Sequence, residues 1–243
     1  MPSNLNLEKA AAEFRTKYGY GNSNPIRIKS LLLELRVLTI FRDMEGSFSG
    51  MSLKIDDDRF MIVNSSHSLG RQHFTVLHEL YHLYIQKNFN HIICNNGIDS
   101  KSRKEEDNAN IFAANLMLPR EGVIKLIPDE ELKKDKINLS TILKLEQYYS
   151  CSHKAMIKRL FDLNIISKSF EEKLSRVIIK IVAQEYGYGT ELYEAGNKNV
   201  IVGDYGVKAK EFFDKEIISE SHYLSLMHDL GIDFQSTENS NEQ

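Results

Sequence analysis

Apolar residues recur at helical intervals from the start of the chain. Leu7, Ala10, Ala11, Phe14 and Tyr18 define one amphipathic helix over residues 5–18, ended by Gly19 and Gly21. Pro25 opens a second helical pattern through Leu31, Leu32 and Leu35. The period then shortens. Residues 37–41 are β-rich, and residues 48–55 and 59–64 read as two strands joined by a turn at Asp56, Asp57 and Asp58, which predicts a hairpin following a lone strand. Over residues 68–86, Phe74, Leu77, Leu80, Tyr81 and Tyr84 form a nearly continuous apolar surface broken by a few polar side chains, the pattern of a buried helix. A loop rich in Asn, Gly and Ser is expected over residues 88–103, leading into an alanine-rich helix over 104–118 that Pro119 stops.

Beyond Pro119 the chain breaks into shorter helical units with charged connectors such as residues 129–136. Residues 139–149 and 153–163, joined by Ser150, Cys151 and Ser152, predict a helix, a short turn and a helix. A longer helix over 170–186, a strand over 199–202, a helix over 207–215 and a last helix capped by Ser219 and running to Asp229 complete the pattern. The expected organisation is a core over residues 1–122, a helix-turn-helix-like unit over 123–168, a mainly helical region over 169–235 and a polar, disordered tail over 236–243.

Composition narrows the function classes. At 243 residues the chain corresponds to roughly one and a half domains of typical size. Lys and Arg number 31 against 34 Asp and Glu, a net charge of −3, which argues against both a polybasic nucleic-acid binder and an acidic disordered protein. The two cysteines, Cys94 and Cys151, are far apart and form no CxxC pair, so neither a secreted disulfide scaffold nor a cysteine-based zinc finger fits. The amino terminus lacks a basic start followed by an apolar core, and no apolar run approaches the roughly 20 residues of a membrane span. A cytoplasmic protein without membrane association is expected. The eight histidines then pose the chemical question: whether any of them bind metal.

His78-Glu79-Leu80-Tyr81-His82 is an H-E-x-x-H run on a predicted helix. Four residues along a helix give about 6 Å of rise and about 40° of rotation, so His78 and His82 project from one face and can share a metal ion. Glu79 lies one position round, close enough to meet a water there without having to be a ligand. Two imidazoles suit zinc, which in hydrolytic sites takes three protein ligands and keeps one position open. The third ligand is sought in the acidic cluster Glu105-Glu106-Asp107, which runs into the alanine-rich helix; spacing alone does not choose among the three. An exposed acidic first turn that complements the helix dipole is the alternative, and best describes Glu105 and Asp107.

The run Phe74-Thr75-Val76-Leu77-His78-Glu79-Leu80-Tyr81-His82, followed by Glu106-Asp107-Asn108-Ala109-Asn110-Ile111-Phe112-Ala113-Ala114-Asn115-Leu116-Met117-Leu118-Pro119, resembles the ImmA/IrrE family of gluzincin-type metallopeptidases. The resemblance implies an α+β fold: a zincin-like core with a small mixed or antiparallel sheet and an active-site helix, followed by a mainly helical carboxy-terminal region. It selects Glu106 as third zinc ligand and Asn110 as the partner that orients a ligand histidine, with Glu79 as the general base and one zinc per chain. It departs at Tyr81, where the family usually has glycine, and the larger side chain is expected to narrow the space beside the metal. The residues that bind substrate are not identified, although the strand over 48–55 offers an edge for an extended peptide. Tyr148, Tyr149, His153 and Arg159 are available to stabilise an oxyanion, but each reads more simply as a packing or surface residue.

The resemblance further implies a regulatory endopeptidase whose protein substrate is a helix-turn-helix repressor, cut to release stress or mobile-element genes. The rival expectation is a non-catalytic regulator with a structural metal site, binding DNA or a partner protein through its carboxy-terminal helices. Over residues 139–163, Lys144, Lys154, Lys158 and Arg159 face Glu146 and Asp162, a surplus of only two cations. Phosphate neutralisation supplies most of the affinity in DNA binding, so direct DNA contact is not expected. His67, His73, His91, His222 and His228 read as solvated or hydrogen-bonded side chains, and Met44, Met51 and Met61 as core filler.

Overall fold

A computed structural model describes residues 4–87 and 100–232. The elements in chain order are α1 (Asn4–Lys17), α2 (Ile28–Glu34), β1 (Val37–Arg42), β2 (Gly50–Ile55), β3 (Asp58–Asn64), α3 (Leu69–Tyr84), α4 (Ser100–Met117), α5 (Arg120–Lys125), α6 (Leu139–Tyr149), α7 (His153–Asp162), α8 (Lys168–Leu174), α9 (Ile179–Glu185), β4 (Ile201–Val202), α10 (Tyr205–Asp214) and α11 (Glu220–Asp229). The fold is α+β, mostly helical, with one small mixed sheet in the order β2-β3-β1-β4. Among the described residues no helix is long and apolar enough to cross a membrane.

The hairpin forms as expected, with Ile55 opposite Asp58 and Gly50 opposite Val63, and Asp56 takes φ 49°, a left-handed conformation that aspartate tolerates at a turn. The expectation of a lone strand is corrected. β1 lies inside the sheet, parallel to β3 from Val37↔Arg59 to Arg42↔Asn64 and antiparallel to β4 at Thr39↔Val202. Alternation reveals a strand but not its partners, and a parallel pairing leaves no turn signal between the two strands.

α1 and α3 both pack on α4, and α3 also lies against β2 and β3. One apolar cluster joins these elements, running from Leu7 and Phe14 through Phe41, Leu80 and Phe112 to Ile142, Leu160 and Val202. The helix-turn-helix-like unit is part of it. Ser150 takes φ 53° at the end of α6, Ser152 caps α7 by accepting from the Ala155 N–H, and Cys151 between them is fully buried. This turn sits directly on the first turn of α3, where a Cβ at Gly70 would fall 2.5 Å from the Ser152 nitrogen, so only glycine fits.

Two helices differ from expectation. The single helix over 170–186 is instead α8 and α9, broken at residues 175–178. The Leu174 carbonyl, which would accept from residue 178 in a continuous helix, accepts instead from His153 Nε2 and the Val177 N–H. α4 begins at Ser100, earlier than expected, so the acidic cluster lies beyond its first turn and the dipole reading of Glu105 and Asp107 does not hold. The loop expected over 88–103, apart from its last residues, lies outside the described residues, as do His91, Cys94 and the tail over 236–243.

After α9 the chain returns to the sheet and α3 as a strap. Glu194 O accepts from the Leu69 N–H, Ala195 bridges Ser68, and the wholly buried Gln72 amide donates to Ser65 O, His67 O and Gly196 O while accepting from Asn197 Nδ2. Val200 O then accepts from Phe41 N–H, and β4 closes the sheet.

Candidate metal centre

α3 and α4 cross so that His78, His82 and Glu106 converge. His78 Nε2 lies 3.1 Å from Glu106 Oε2, His82 Nε2 lies 3.6 Å from Glu106 Oε1, and the two Nε2 atoms are 3.2 Å apart. Ligands at about 2.0–2.2 Å around a tetrahedral zinc are separated by roughly 3.3–3.5 Å, and these three distances scatter about that value.

The donor set makes the same point. Asn110 Oδ1 accepts from His78 Nδ1 at 3.0 Å, and Gln86 Oε1 accepts from His82 Nδ1 at 2.6 Å. An amide oxygen only accepts, so each imidazole carries its proton on Nδ1 and turns an unprotonated Nε2 towards the other and towards a carboxylate. Three lone pairs facing one another require a cation or extra protons. The chemistry of the site therefore fits a divalent metal, with Asn110 and Gln86 fixing tautomer and ring orientation.

The electrostatics agree. Burial lowers the His78 pKa, but the hydrogen bond that a protonated Nε2 donates to Glu106 and the charges of Glu79 and Glu106 outweigh it, and the net shift is upward. The hydrogen bond that a protonated His78 donates holds the Glu106 carboxyl below its ordinary value, against the opposing effect of burial. Burial pushes the Glu79 carboxyl up, while His78, His82 and a hydrogen bond from Ser52 pull it back. Glu79 is thus poised above an ordinary carboxylate.

Glu79 stands beside the histidines, facing the sheet. Its Oε2 accepts from Ser52 Oγ at 2.8 Å, and a Cβ at Gly50 would meet Thr75 Cγ2 at 2.5 Å and come within 3.5 Å of Glu79 Oε1. Glycine at position 50 is what lets the edge strand β2 approach α3 this closely. Between β2 and α3 lies a cleft of about 350 Å³ lined by Ser49, Gly50, Arg71, Phe74, Thr75, His78, Glu79, Glu106 and Asn110.

Of the acidic cluster, Glu106 reaches the histidines; Asp107 is exposed, and Glu105 accepts from Tyr81 OH at 2.7 Å. Tyr81 does not narrow the cleft. Its ring is buried between α3 and α4, centroid 5.8 Å from Phe112 and 5.5 Å from His82, so its hydroxyl faces Glu105 and its pKa is raised by burial and by that carboxylate. The residues weighed for an oxyanion lie elsewhere: Tyr149 OH donates to Ser23 O, His153 bonds Glu146 and Leu174 O, and Arg159 donates to Leu118 O and Asn115 Oδ1. Tyr148 stacks edge-on against Tyr149, outside the cleft lining. Among the other histidines, His73 Nδ1 donates to Ser150 O. Met61 is core, but Met51 is exposed on β2, contrary to its reading as filler.

Three residues in or beside the site were not anticipated from the sequence. Gln86 stands four residues after His82, the helical spacing that could have revealed it. Ser52 and Arg71 depend on the approach of β2 to α3, which no local pattern encodes.

Residues 34–161, just over half of the chain, match Peptidase_M78, the IrrE N-terminal-like domain. That span contains α3, α4 and α6, and α7 up to its last residue. No curated protein matches the chain.

Proposed function

The chain belongs to the IrrE N-terminal-like family of metallopeptidases, and from that premise we propose that it is a cytoplasmic zinc endopeptidase acting on a specific protein. The observation that carries the reading is the convergence of two Nε2 lone pairs and a carboxylate beside Glu79, in a cleft bordered by the edge strand β2. His78, His82 and Glu106 would hold the metal. Zinc, when bound, supplies Lewis acidity, polarising a peptide carbonyl and acidifying water.

The protein's own groups do the rest. Glu79 accepts the proton of the attacking water and passes it to the leaving amine, a shuttle suited to a carboxyl whose pKa lies above the ordinary range. Ser52 donates to one oxygen of Glu79 and so limits the rotation of its carboxyl. β2 is an edge strand, so an extended peptide can add to it and be drawn past Glu79. His78 and His82 are held in one tautomer by Asn110 and Gln86 and need no rearrangement.

The resemblance to ImmA/IrrE proteins supports a helix-turn-helix repressor as the substrate, its cleavage releasing stress or mobile-element genes. The alternative of a DNA-binding regulator loses one of its four candidate cations, since Arg159 is buried and bonded inside the fold, and a second, Lys158, pairs with Asp162 on the surface. The direct test is to incubate wild type and Glu79→Gln with repressors encoded beside this gene and identify fragments by mass spectrometry. One defined cut by wild type and none by the variant is expected. Intact repressors in both would refute this substrate class.

A further inference from the structure

Among the described residues the cleft carries a single lining cation, Arg71, on the first turn of α3. It precedes His78 by seven residues, which on a helix is about 10 Å of rise and only about 20° away from two full turns. Arg71 and His78 therefore lie on one stripe. β2 runs alongside in the same direction: Arg71 Nη2 donates to Ser49 Oγ at 2.9 Å, Gly50 faces Thr75 and Glu79, and Ser52 bonds Glu79. The cleft is a slot with the histidine cluster towards one end and a guanidinium at the other.

The charges along the slot are unequally occupied. Glu106 is engaged by both histidines and Glu79 by Ser52, whereas Arg71 bonds only the Ser49 hydroxyl among the described residues. A guanidinium has five N–H donors in a planar fork matched to a carboxylate, and most of this fork is uncommitted. Its side chain is exposed to the slot, where an incoming chain would meet it.

We propose that Arg71 is a specificity residue that binds a carboxylate of the substrate, at the second or third residue on the carboxyl side of the scissile bond. The proposal rests on the peptidase reading of the same site. A peptide pairing antiparallel to β2, the more stable pairing, runs from Ser52 towards Ser49 and so carries its carboxyl end towards Arg71. At about 3.3 Å per extended residue, 10 Å spans three residues, and the length of the arginine side chain brings the second within reach. The carboxylate is either an Asp or Glu side chain or the terminal carboxylate of a chain ending there.

Internally quenched peptides built on one cleavable sequence distinguish the two. One set is amidated and carries Glu, Ala or Lys at the second and third positions after the cut; the other ends at those positions in a free carboxylate. Zinc-loaded wild type should prefer Glu to Ala about tenfold in kcat/KM, mainly through KM, the scale of one charge-assisted hydrogen bond. Arg71→Glu should invert the order and favour Lys, a gain that misfolding cannot produce. In a Glu79→Gln background, which leaves peptides intact, fluorescence anisotropy should give the same ranking of Kd. A preference within the amidated set assigns the side chain, and one confined to the second set assigns the terminal carboxylate. Cleavage indifferent to charge at these positions, or an unchanged ranking in Arg71→Glu, overturns the role of Arg71 and leaves the peptidase reading standing. A zinc-loaded wild type that cleaves no peptide overturns that reading, and the role of Arg71 falls with it.

Discussion

Asn110 is a small test of the site's logic, because its side chain is exposed on α4 and touches the proposed metal cluster through one hydrogen bond to His78 Nδ1. Removing that bond frees the imidazole to rotate and to carry its proton on Nε2, where it cannot bind metal. Asn110→Ala should weaken zinc binding by about 10–100-fold, measured by competition with a chelator, with little change in apo-protein stability. An unchanged affinity would show that the tautomer is set elsewhere. At this scale the sequence was informative wherever one helix carries the pattern. His78, Glu79 and His82 are spaced by a helical period, and the match of the second run to the family singled out Glu106, which spacing alone left level with Glu105 and Asp107. Ser52 and Arg71 were not legible, since their roles arise from the packing of a strand on a helix.

Between elements, the join of α6, α7 and α8 is electrostatic as well as apolar. Glu146 on α6 is fully buried, its Oε1 2.6 Å from His153 Nδ1 on α7 and its Oε2 accepting from Tyr193 OH at 2.7 Å. His153 Nε2 donates to Leu174 O at the end of α8, so both ring nitrogens carry protons and the imidazole is cationic. Burial lowers the His153 pKa, but the hydrogen bond and charge of Glu146 outweigh it, and the folded value is raised above the ordinary 6.5. The folded state therefore binds the extra proton more tightly than the unfolded chain. Its stabilisation is complete below about pH 6.5 and is lost as pH rises through the raised folded value. Urea denaturation of zinc-loaded protein at pH 6 and pH 9 should show wild type losing stability across that interval, and His153→Gln losing less. The same contact explains why the helix expected over 170–186 breaks after Leu174, a consequence of a partner 21 residues away that helical periodicity does not register. The hairpin was legible because its turn residues are adjacent, and the parallel pairing of β1 was not because its partner lies beyond another strand.

Across the whole molecule, the region after α9 gains a structural task that composition did not suggest. Its strap lies over the start of α3, the helix of His78, Glu79 and His82, and Gln72 is the buried node holding three carbonyls, one of them Gly196 O. Gln72→Ala leaves buried acceptors unpaired at about 1–3 kcal/mol each when no water replaces the amide, and should lower stability by about 3 kcal/mol. Thermal unfolding should move down by on the order of 10 °C, whereas a shift of a degree or less would mean that the strap is not coupled to the core. The helix-turn-helix-like unit is likewise a packing element: Arg159 on α7 donates to Leu118 O and to Asn115 of α4, the helix that carries Glu106. A charge census could disfavour DNA contact but could not show that one of the counted cations is buried against the peptidase helix.

The central claim is that His78, His82 and Glu106 bind one zinc and that Glu79 moves the proton during peptide hydrolysis. Metal analysis and peptide cleavage, measured together on wild type and Glu79→Gln, test it most directly. The account predicts about one zinc per chain in both proteins and hydrolysis only in wild type. Full hydrolysis by Glu79→Gln, or a wild type that neither retains nor takes up zinc, would contradict it.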